Sequence, residues 1–252
     1  MLDRKTKVRV FMRTMLVQAC WNFENMQSVG FLYSVLPGLE KIYDGEPDKI
    51  KAAARRHIEF FNTHPYFSSH IAAMALAFEE KIQKGEVDPS AVNSAKVGLM
   101  GSLGAIGDSF FWGSLKPFVS LVSVLAALIN PYLGIALLLF TYNYFHLRLR
   151  IDGFNKSLSS PNGIYQYLKQ SNFAEKSEYI RAMVMIFLGV YLGFFISRIL
   201  PSDQKIIFTV MQFSVSVGLI VALEFVYRKI AATSEIVVFS AMFVILISLI
   251  MG

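Results

Sequence analysis

The sequence predicts an all-α, polytopic integral membrane protein with broken or re-entrant helices in its N-terminal half and three transmembrane helices at its C-terminal end. Hydrophobic residues make up 54% of the chain and charged residues only 17%, whereas soluble domains average about 25% charged residues. The mean hydropathy of +0.48 agrees with this balance. Long charge-free runs also fill the end of the chain. Lipid is therefore the expected solvent for much of its surface.

Three charge-free runs occupy the last third of the sequence, at residues 182–197, 206–223 and 236–252. A helix rises about 1.5 Å per residue, so a run of about 18 residues covers roughly 27 Å, close to the thickness of a bilayer core. Charged residues separate the runs, and Pro201 favours a turn in the first gap. We expect one transmembrane helix from each run.

The preceding segment, residues 118–147, has no charged residue and is interrupted by Asn130 and Pro131. Proline breaks the hydrogen-bond ladder of a helix, which favours two short helices or one kinked helix. Residues 148–181 are polar and rich in Lys and Arg. We expect a loop with a surface helix there, on the cytoplasmic side of the membrane.

An N-terminal helical region, residues 1–117, precedes this hydrophobic transmembrane region, residues 118–252. Within it, residues 14–39 contain one charged side chain, Glu24, and we expect a helix that ends at Pro37. A second helix should begin at the next proline, because that proline is followed by an aspartate that suits the positive end of the helix dipole.

This second helix is predicted to start at Pro47 and to stop at Pro65, and a third should cover residues 66–84.

The net charge of the chain is +6, and a cluster of basic residues opens it: Arg4, Lys5, Lys7, Arg9 and Arg13. The hydrophobic remainder offers no soluble basic face for nucleic acid, so anionic lipid or a cytoplasmic anchor is the better interpretation. We expect no secretory signal, and the single Cys20 excludes an internal disulfide and a cysteine-based metal cluster.

The first of three polar blocks is QACWNFENMQS, residues 18–28. On a helix, one stripe would collect most of its polar side chains and an aromatic ring: Gln18, Trp21, Asn22, Asn25 and Ser28. Glu24 would lie at the edge of that stripe. Amides and carboxylates can pair with sugar hydroxyls while an indole covers the apolar face of the ring. Hydrogen bonding between membrane helices is the alternative, and the residues alone leave both open.

The second block is HIEFFNTHPY, residues 57–66. Glu59, Asn62 and Thr63 are expected near the last turn of the helix that begins at Pro47, with His64 at the break. Transport proteins use such broken helix ends as solute sites, but a capped helix end with polar residues at the water boundary is equally compatible. His57 and His64 are seven residues apart, which is too far along a helix for both to bind one metal ion.

The third block is KVGLMGSLGAIGDSFFWGSLKP, residues 96–117. Its glycines recur at every third position, which lets backbones approach closely or lets a segment unwind. We expect a re-entrant or broken segment that presents Asp108, Ser109 and Trp112. A phosphate-binding loop is strongly disfavoured, because the Lys-Ser/Thr pair and a preceding strand are missing. No catalytic constellation is found elsewhere.

Together the three blocks resemble the enzyme IID component of the mannose/fructose/sorbose-type bacterial phosphotransferase system. They stand in the order and spacing of that family, whereas the hydrophobic remainder agrees only in character. The resemblance implies a multi-pass subunit of the bacterial inner membrane without catalysis or cofactor of its own. It would pair with a IIC subunit, in three copies of each, to form a sugar path. Soluble IIA and IIB partners would carry the phosphate.

The resemblance also assigns residues. The matching positions are Trp21, Asn22, Glu24 and Gln27 in the first block, His57, Glu59, Asn62, Thr63 and Pro65 in the second, and Gly107, Asp108 and Trp112 in the third. The residues expected to contact the sugar are the four of the first block together with Glu59, Asn62, Thr63 and His64 of the second. We expect the three of the third block to support a broken helix, with Asp108 accepting backbone N–H groups. The chain departs from the family pattern at four positions: Cys20, Asn25, Ser102 and Ala105. A stand-alone secondary sugar transporter is the alternative, although it would usually show inverted repeats.

Overall fold

The computed structural model describes residues 2–160 and 163–199, and within them every named secondary-structure element is a helix, as predicted. The helices are α1 (Arg4–Thr14), α2 (Ser28–Ile42), α3 (Pro47–His57), α4 (Ser68–Gln83), α5 (Ser90–Gly107), a π-helical segment (Asp108–Leu115), α6 (Lys116–Ile129), α7 (Pro131–Ser159), α8 (Gly163–Ser171) and α9 (Phe173–Ile199). The described chain up to residue 180 forms one compact unit, and the described part of a second unit is the C-terminal part of α9.

Helix α4 is the centre of the first unit. Every residue from 67 to 77 is buried, and α1, α2, α5, α7 and α8 all contact this helix. Its alanines keep the packing distance short. Gly38 of α2 lies directly against Leu76, and a Cβ at that glycine would fall 2.5 Å from a Leu76 methyl carbon. The helix predicted for residues 66–84 is therefore confirmed as α4, and it is the core helix of the unit.

Helix α2 differs from its prediction at both ends. Residues 18–27 form an irregular loop, so the expected helical stripe over the first block is wrong. At the other end α2 continues through Pro37, which removes the N–H that would bond the carbonyl of Tyr33. Arg13 of α1 donates to that carbonyl at 3.1 Å. A contact from another helix thus replaces the lost bond and lets α2 run on to Ile42.

Helices α5 and α6 and the π-helical segment between them form one continuous helix, Ser90–Ile129. The expected broken or re-entrant segment in the third block is therefore wrong, since Asp108 and Lys116 both keep helical backbone angles. Among the described residues this is the one helix long and apolar enough to cross a membrane. Only 22% of its most apolar stretch is buried inside the chain, unlike the core helix of a soluble protein.

The predicted interruption at Asn130 and Pro131 is confirmed. Asn130 caps α7 by accepting from the N–H groups of Tyr132 and Leu133 at 2.9 and 3.4 Å, and Pro131 occupies the first turn. In contrast, the loop predicted within residues 148–181 is wrong for most of its length, because α7 continues to Ser159 and α9 begins at Phe173. The helix expected in the same stretch is present as α8.

The C-terminal predictions are tested only in part. Residues 182–197 lie in α9, so this run is helical as expected. The runs at 206–223 and 236–252 lie outside the described residues. The second predicted helix starts at Pro47, as expected, but ends at His57 rather than at Pro65. The backbone beyond His57 pairs with the first block, which ends the helix early.

Candidate functional site

The first and second blocks are joined through their backbones. Asn22 and Met26 exchange N–H···O bonds of 3.3 and 3.0 Å, and the N–H of Gln27 donates to the carbonyl of Phe61 at 2.9 Å. The side chain of Gln27 then binds both backbone groups of Thr63: its amide donates to the carbonyl at 2.9 Å, and its oxygen accepts from the N–H at 3.3 Å. Two segments far apart in sequence become one structural element.

This element projects a tight turn, residues 22–26, towards solvent. Asn22 closes the turn by accepting from the N–H of Asn25 at 2.6 Å. Met26 adopts a φ of 53°, a left-handed conformation that costs a non-glycine residue on the order of 1 kcal/mol or more and that is concentrated at functional sites. Glu24 lies at the tip and is exposed, next to Phe23, which is 97% exposed.

The second and third blocks meet at His64. Its ring is only 2% exposed and stacks on Phe111, with centroids 5.1 Å apart and an interplanar angle of 14°. The ring of Trp112 lies 4.8 Å away. A Cβ at Gly107 would fall 2.3 Å from the Cβ of His64. Glycine is therefore required at this position for the histidine to reach the π-helical segment.

Two buried polar atoms at this junction have no hydrogen-bond partner in the described chain, Nε2 of His64 and Oγ1 of Thr63. Burial and, to a smaller extent, the charge of Arg150 lower the pKa of His64 to about 3, so the ring is neutral. A neutral imidazole and a hydroxyl can each donate or accept a hydrogen bond. The junction therefore offers two groups suited to a hydroxylated solute.

The sequence-predicted residues divide into two sets. Gln27, Thr63, His64 and Gly107 are buried where the three blocks meet. The others are exposed: Trp21, Asn22, Glu24, Glu59, Asn62, Asp108 and Trp112. Glu59 accepts a hydrogen bond from the amide of Asn93. Asp108 lies within the unbroken helix Ser90–Ile129, so its expected role in holding a broken helix is wrong.

Sequence reasoning missed a buried charged cluster beneath the second block. The carboxylate of Glu79 is fully buried and accepts from the hydroxyl of Tyr43 at 2.6 Å and from Arg56 at 2.7 Å, and Nε2 of His57 lies at 2.9 Å. Burial alone raises the pKa of Glu79, but these hydrogen bonds outweigh it and lower the pKa to about 2. His57 is thus committed to the fold. Glu79 is one of two adjacent glutamates, and nothing in the sequence distinguishes it from Glu80.

Sequence reasoning also missed three residues of α7 that contact the second block, Tyr142, His146 and Arg150. They are spaced by four, so they share one helix face, but the predicted loop at 148–181 concealed this pattern. In the described residues no group of three or more His, Cys, Asp or Glu side chains is placed to hold a metal ion.

Comparison with known proteins gives the family. Residues 1–251 match the family described as the PTS system mannose/fructose/sorbose family IID component. The chain belongs to this family. The mannose-specific EIID component of Escherichia coli (strain K12) is 40% identical to this IID component over 145 residues, which are 57% of the chain and 51% of that relative. This alignment therefore spans about half the length of the relative.

A longer alignment relates this IID component to the fructose permease IID component of Bacillus subtilis (strain 168), at 26% identity over 90% of the chain and 89% of that relative. Among solved structures, the chain is similar to one in the cryo-electron-microscopy structure of the mannose transporter ManYZ with microcin E492. The TM-score is 0.61 and the identity 28%, over 100% of this chain and 98% of that one. A second structure, described as a membrane protein, gives a TM-score of 0.71 at 29% identity, over 98% of this chain and 96% of that one.

Proposed function

We propose that this chain is the IID subunit of a sugar-specific phosphotransferase-system permease of the bacterial inner membrane, which it crosses several times. With a IIC subunit, in three copies of each, it forms the path for a hexose or related sugar. A IIB subunit phosphorylates the sugar on arrival and is itself supplied by IIA. This chain performs no catalysis. The observation that carries the proposal is family membership along nearly the whole chain.

The exposed surface of the α6–α7 hairpin supports a membrane and partner role. Ile129, Tyr132 and Phe140 are 84%, 83% and 77% exposed, and so large an apolar surface normally marks contact with lipid or with another subunit. A stand-alone secondary sugar transporter is not favoured, since the chain belongs to a family named as one component of a multi-component system.

The proposed sugar site is the junction of the three blocks. The free Nε2 of His64 and hydroxyl of Thr63 are its buried groups. To these the proposed site adds the carboxylates and amides of the exposed set, which can pair with sugar hydroxyls. It also includes Trp21, which is half exposed and can cover an apolar sugar face. Gln27 fixes the two loops against each other.

Co-expression tests the partner assignment. Affinity-tagged IID should retain an untagged IIC subunit after detergent extraction, and reconstituted pairs should bind radiolabelled mannose, fructose or sorbose. Recovery of this chain alone, with sugar binding in the absence of IIC, would support the secondary transporter instead.

Substitution of two exposed residues, Glu24 and Asn62, tests their proposed role in sugar binding. Removing a hydrogen bond to a charged group costs about 1.5–3 kcal/mol, or about 10- to 150-fold in affinity. We expect Glu24→Gln and Asn62→Ala to weaken sugar binding within this range, at unchanged membrane abundance. Glu86→Gln, in the exposed turn after α4, is the matched control. If both variants bind sugar with wild-type affinity, Glu24 and Asn62 do not belong to the site.

Phosphate labelling tests the absence of catalysis. With labelled phosphoenolpyruvate and the soluble phosphocarriers, label should appear on IIA, IIB and sugar but not on this chain. Stable labelling of this chain would contradict the proposal.

A further inference from the structure

One face of α7 contacts Tyr66, the residue that follows Pro65. The hydroxyl of Tyr66 lies 3.2 Å from the hydroxyl of Tyr142 on this face. The ring of Tyr66 stacks on His146 with centroids 4.5 Å apart and an angle of 18°. The guanidinium of Arg150 lies 5.1 Å from the centre of the same ring. Since these α7 residues are four apart, they form one row along the helix, which we call the α7 clamp.

Arg150 is the most constrained member of the α7 clamp. It is 3% exposed, and its Nη2 donates to the carbonyl of Pro65 at 2.6 Å. Within the described residues it has no carboxylate partner, and its Nε has no hydrogen bond. Burying a charge without an opposite charge is unfavourable. Arg150 is therefore a poor source of net stability, and its defined contact is with one carbonyl in the second block.

This contact is next to the proposed sugar site. Pro65 follows His64 directly, the N–H of Tyr66 donates to Nδ1 of His64 at 3.3 Å, and the two rings meet edge to face at 4.9 Å. That hydrogen bond leaves Nε2 of His64 as the ring nitrogen without a partner among the described residues. Holding Pro65 and Tyr66 therefore sets both the place of the imidazole and its orientation.

We propose that Arg150 is a positioning residue for sugar binding: through the α7 clamp it fixes the His64 ring against the third block. This inference rests on the proposed function, because it takes the junction of the blocks as the sugar site. Arg150 touches no sugar itself. Its loss should loosen the His64 ring and weaken sugar affinity while the helices remain folded.

The position of His64 can be followed without any sugar. The chain has two tryptophans, Trp21 and Trp112, so Trp21→Phe leaves Trp112 as the only indole, 4.8 Å from the His64 ring. In this background Arg150→Met should shift the emission of Trp112 and increase its quenching by iodide. Arg150→Lys keeps a donor for the Pro65 carbonyl and should restore most of the wild-type signal.

Arg148→Met is the matched control. Arg148 lies on the same helix but is exposed, and its partners Tyr144 and Asp152 belong to α7 itself. With Trp21 present and IIC co-reconstituted, we expect Arg150→Met to raise the KM for the transported sugar about tenfold. The maximal rate per folded complex should stay within about twofold. Arg150→Lys should be intermediate and Arg148→Met unchanged.

The outcomes separate the two proposals. A wild-type complex that binds none of mannose, fructose and sorbose overturns the proposed function, while the Trp112 signal still tests the clamp. Unchanged Trp112 emission and unchanged KM in Arg150→Met overturn the inference alone, as does an equal effect of Arg148→Met. If Arg150→Met does not fold, the same measurements on Arg150→Lys and Tyr142→Phe decide. A wild-type KM and Trp112 signal in both then overturn it.

Discussion

Glu79 and Arg150 are both buried charged side chains of the same compact unit, and they are compensated differently. Glu79 accepts a hydrogen bond from the cationic Arg56 and another from Tyr43, so its charge is neutralised where it lies. Arg150 has a backbone carbonyl and an aromatic ring as its described partners. Both are almost completely removed from water.

The difference indicates different roles. The Glu79 cluster joins the end of α2, α3 and α4 through strong, charge-assisted bonds, which is typical of a structural centre. Arg150 instead holds one peptide unit beside two polar atoms that have no partner among the described residues. Buried polar groups are normally hydrogen-bonded, and the two unpartnered atoms beside this loop are the groups on which the proposed sugar site is based.

The largest effect on stability is expected for Glu79→Gln. Losing one member of a buried ion pair leaves Arg56 uncompensated and typically costs about 3–5 kcal/mol. We expect a large fall in the thermal unfolding midpoint of the purified protein, or loss of folded protein on size-exclusion chromatography. Glu86→Gln serves as the exposed control. A Glu79→Gln variant as stable as wild type would show that the cluster is not a structural centre.

Acidification tests the same cluster with a smaller effect. The pKa of Glu79 is about 2 in the folded chain, below its ordinary value of 4.5, so the unfolded state binds the proton more readily. The stabilisation is therefore fully present above about pH 4.5 and is lost as the pH falls towards about 2; its size is about 3 kcal/mol. Unfolding midpoints measured across this range should fall more steeply for wild type than for Glu79→Gln. Parallel profiles would exclude Glu79 as the titrating group.

The smallest effect on stability is expected at the glycines of α5. Substitutions there also test whether the contact with His64 affects sugar affinity. Gly107→Ala places a methyl group against His64 and should cost about 1–3 kcal/mol through overpacking. Gly101→Ala is the matched control, because nothing lies within 4 Å of its added Cβ; it should be neutral or stabilise the helix by up to about 1 kcal/mol. Sugar affinity should fall only in Gly107→Ala. Equal behaviour of the two variants in unfolding and binding assays would contradict the close contact with His64.

Local signals predicted much of the helical framework. Pro47 begins α3 and Asn130 with Pro131 separates α6 from α7, because proline geometry and side-chain capping act within one helical turn. Non-local bonds defeated the same rules elsewhere. Pro37 does not end α2, since Arg13 satisfies the carbonyl that proline frees.

The candidate site was predictable as a set of blocks but not as a geometry. Polar residues in apolar surroundings pointed to Gln27, Thr63 and His64, yet nothing local showed that Gln27 binds the backbone of Thr63. The stripe expected to present Trp21 and Glu24 required a helix, and the pairing of the two loops replaced it with an exposed turn.

The sequence by itself determined the membrane character, the helical class and the family, because composition, charge-free runs and long polar blocks are written in consecutive residues. Only the tertiary structure decided which polar groups are satisfied and which remain free. Hydrogen-bond partners such as Arg150 and Pro65 stand 85 positions apart, and their meeting depends on how α4 and α7 pack rather than on any pattern within either helix.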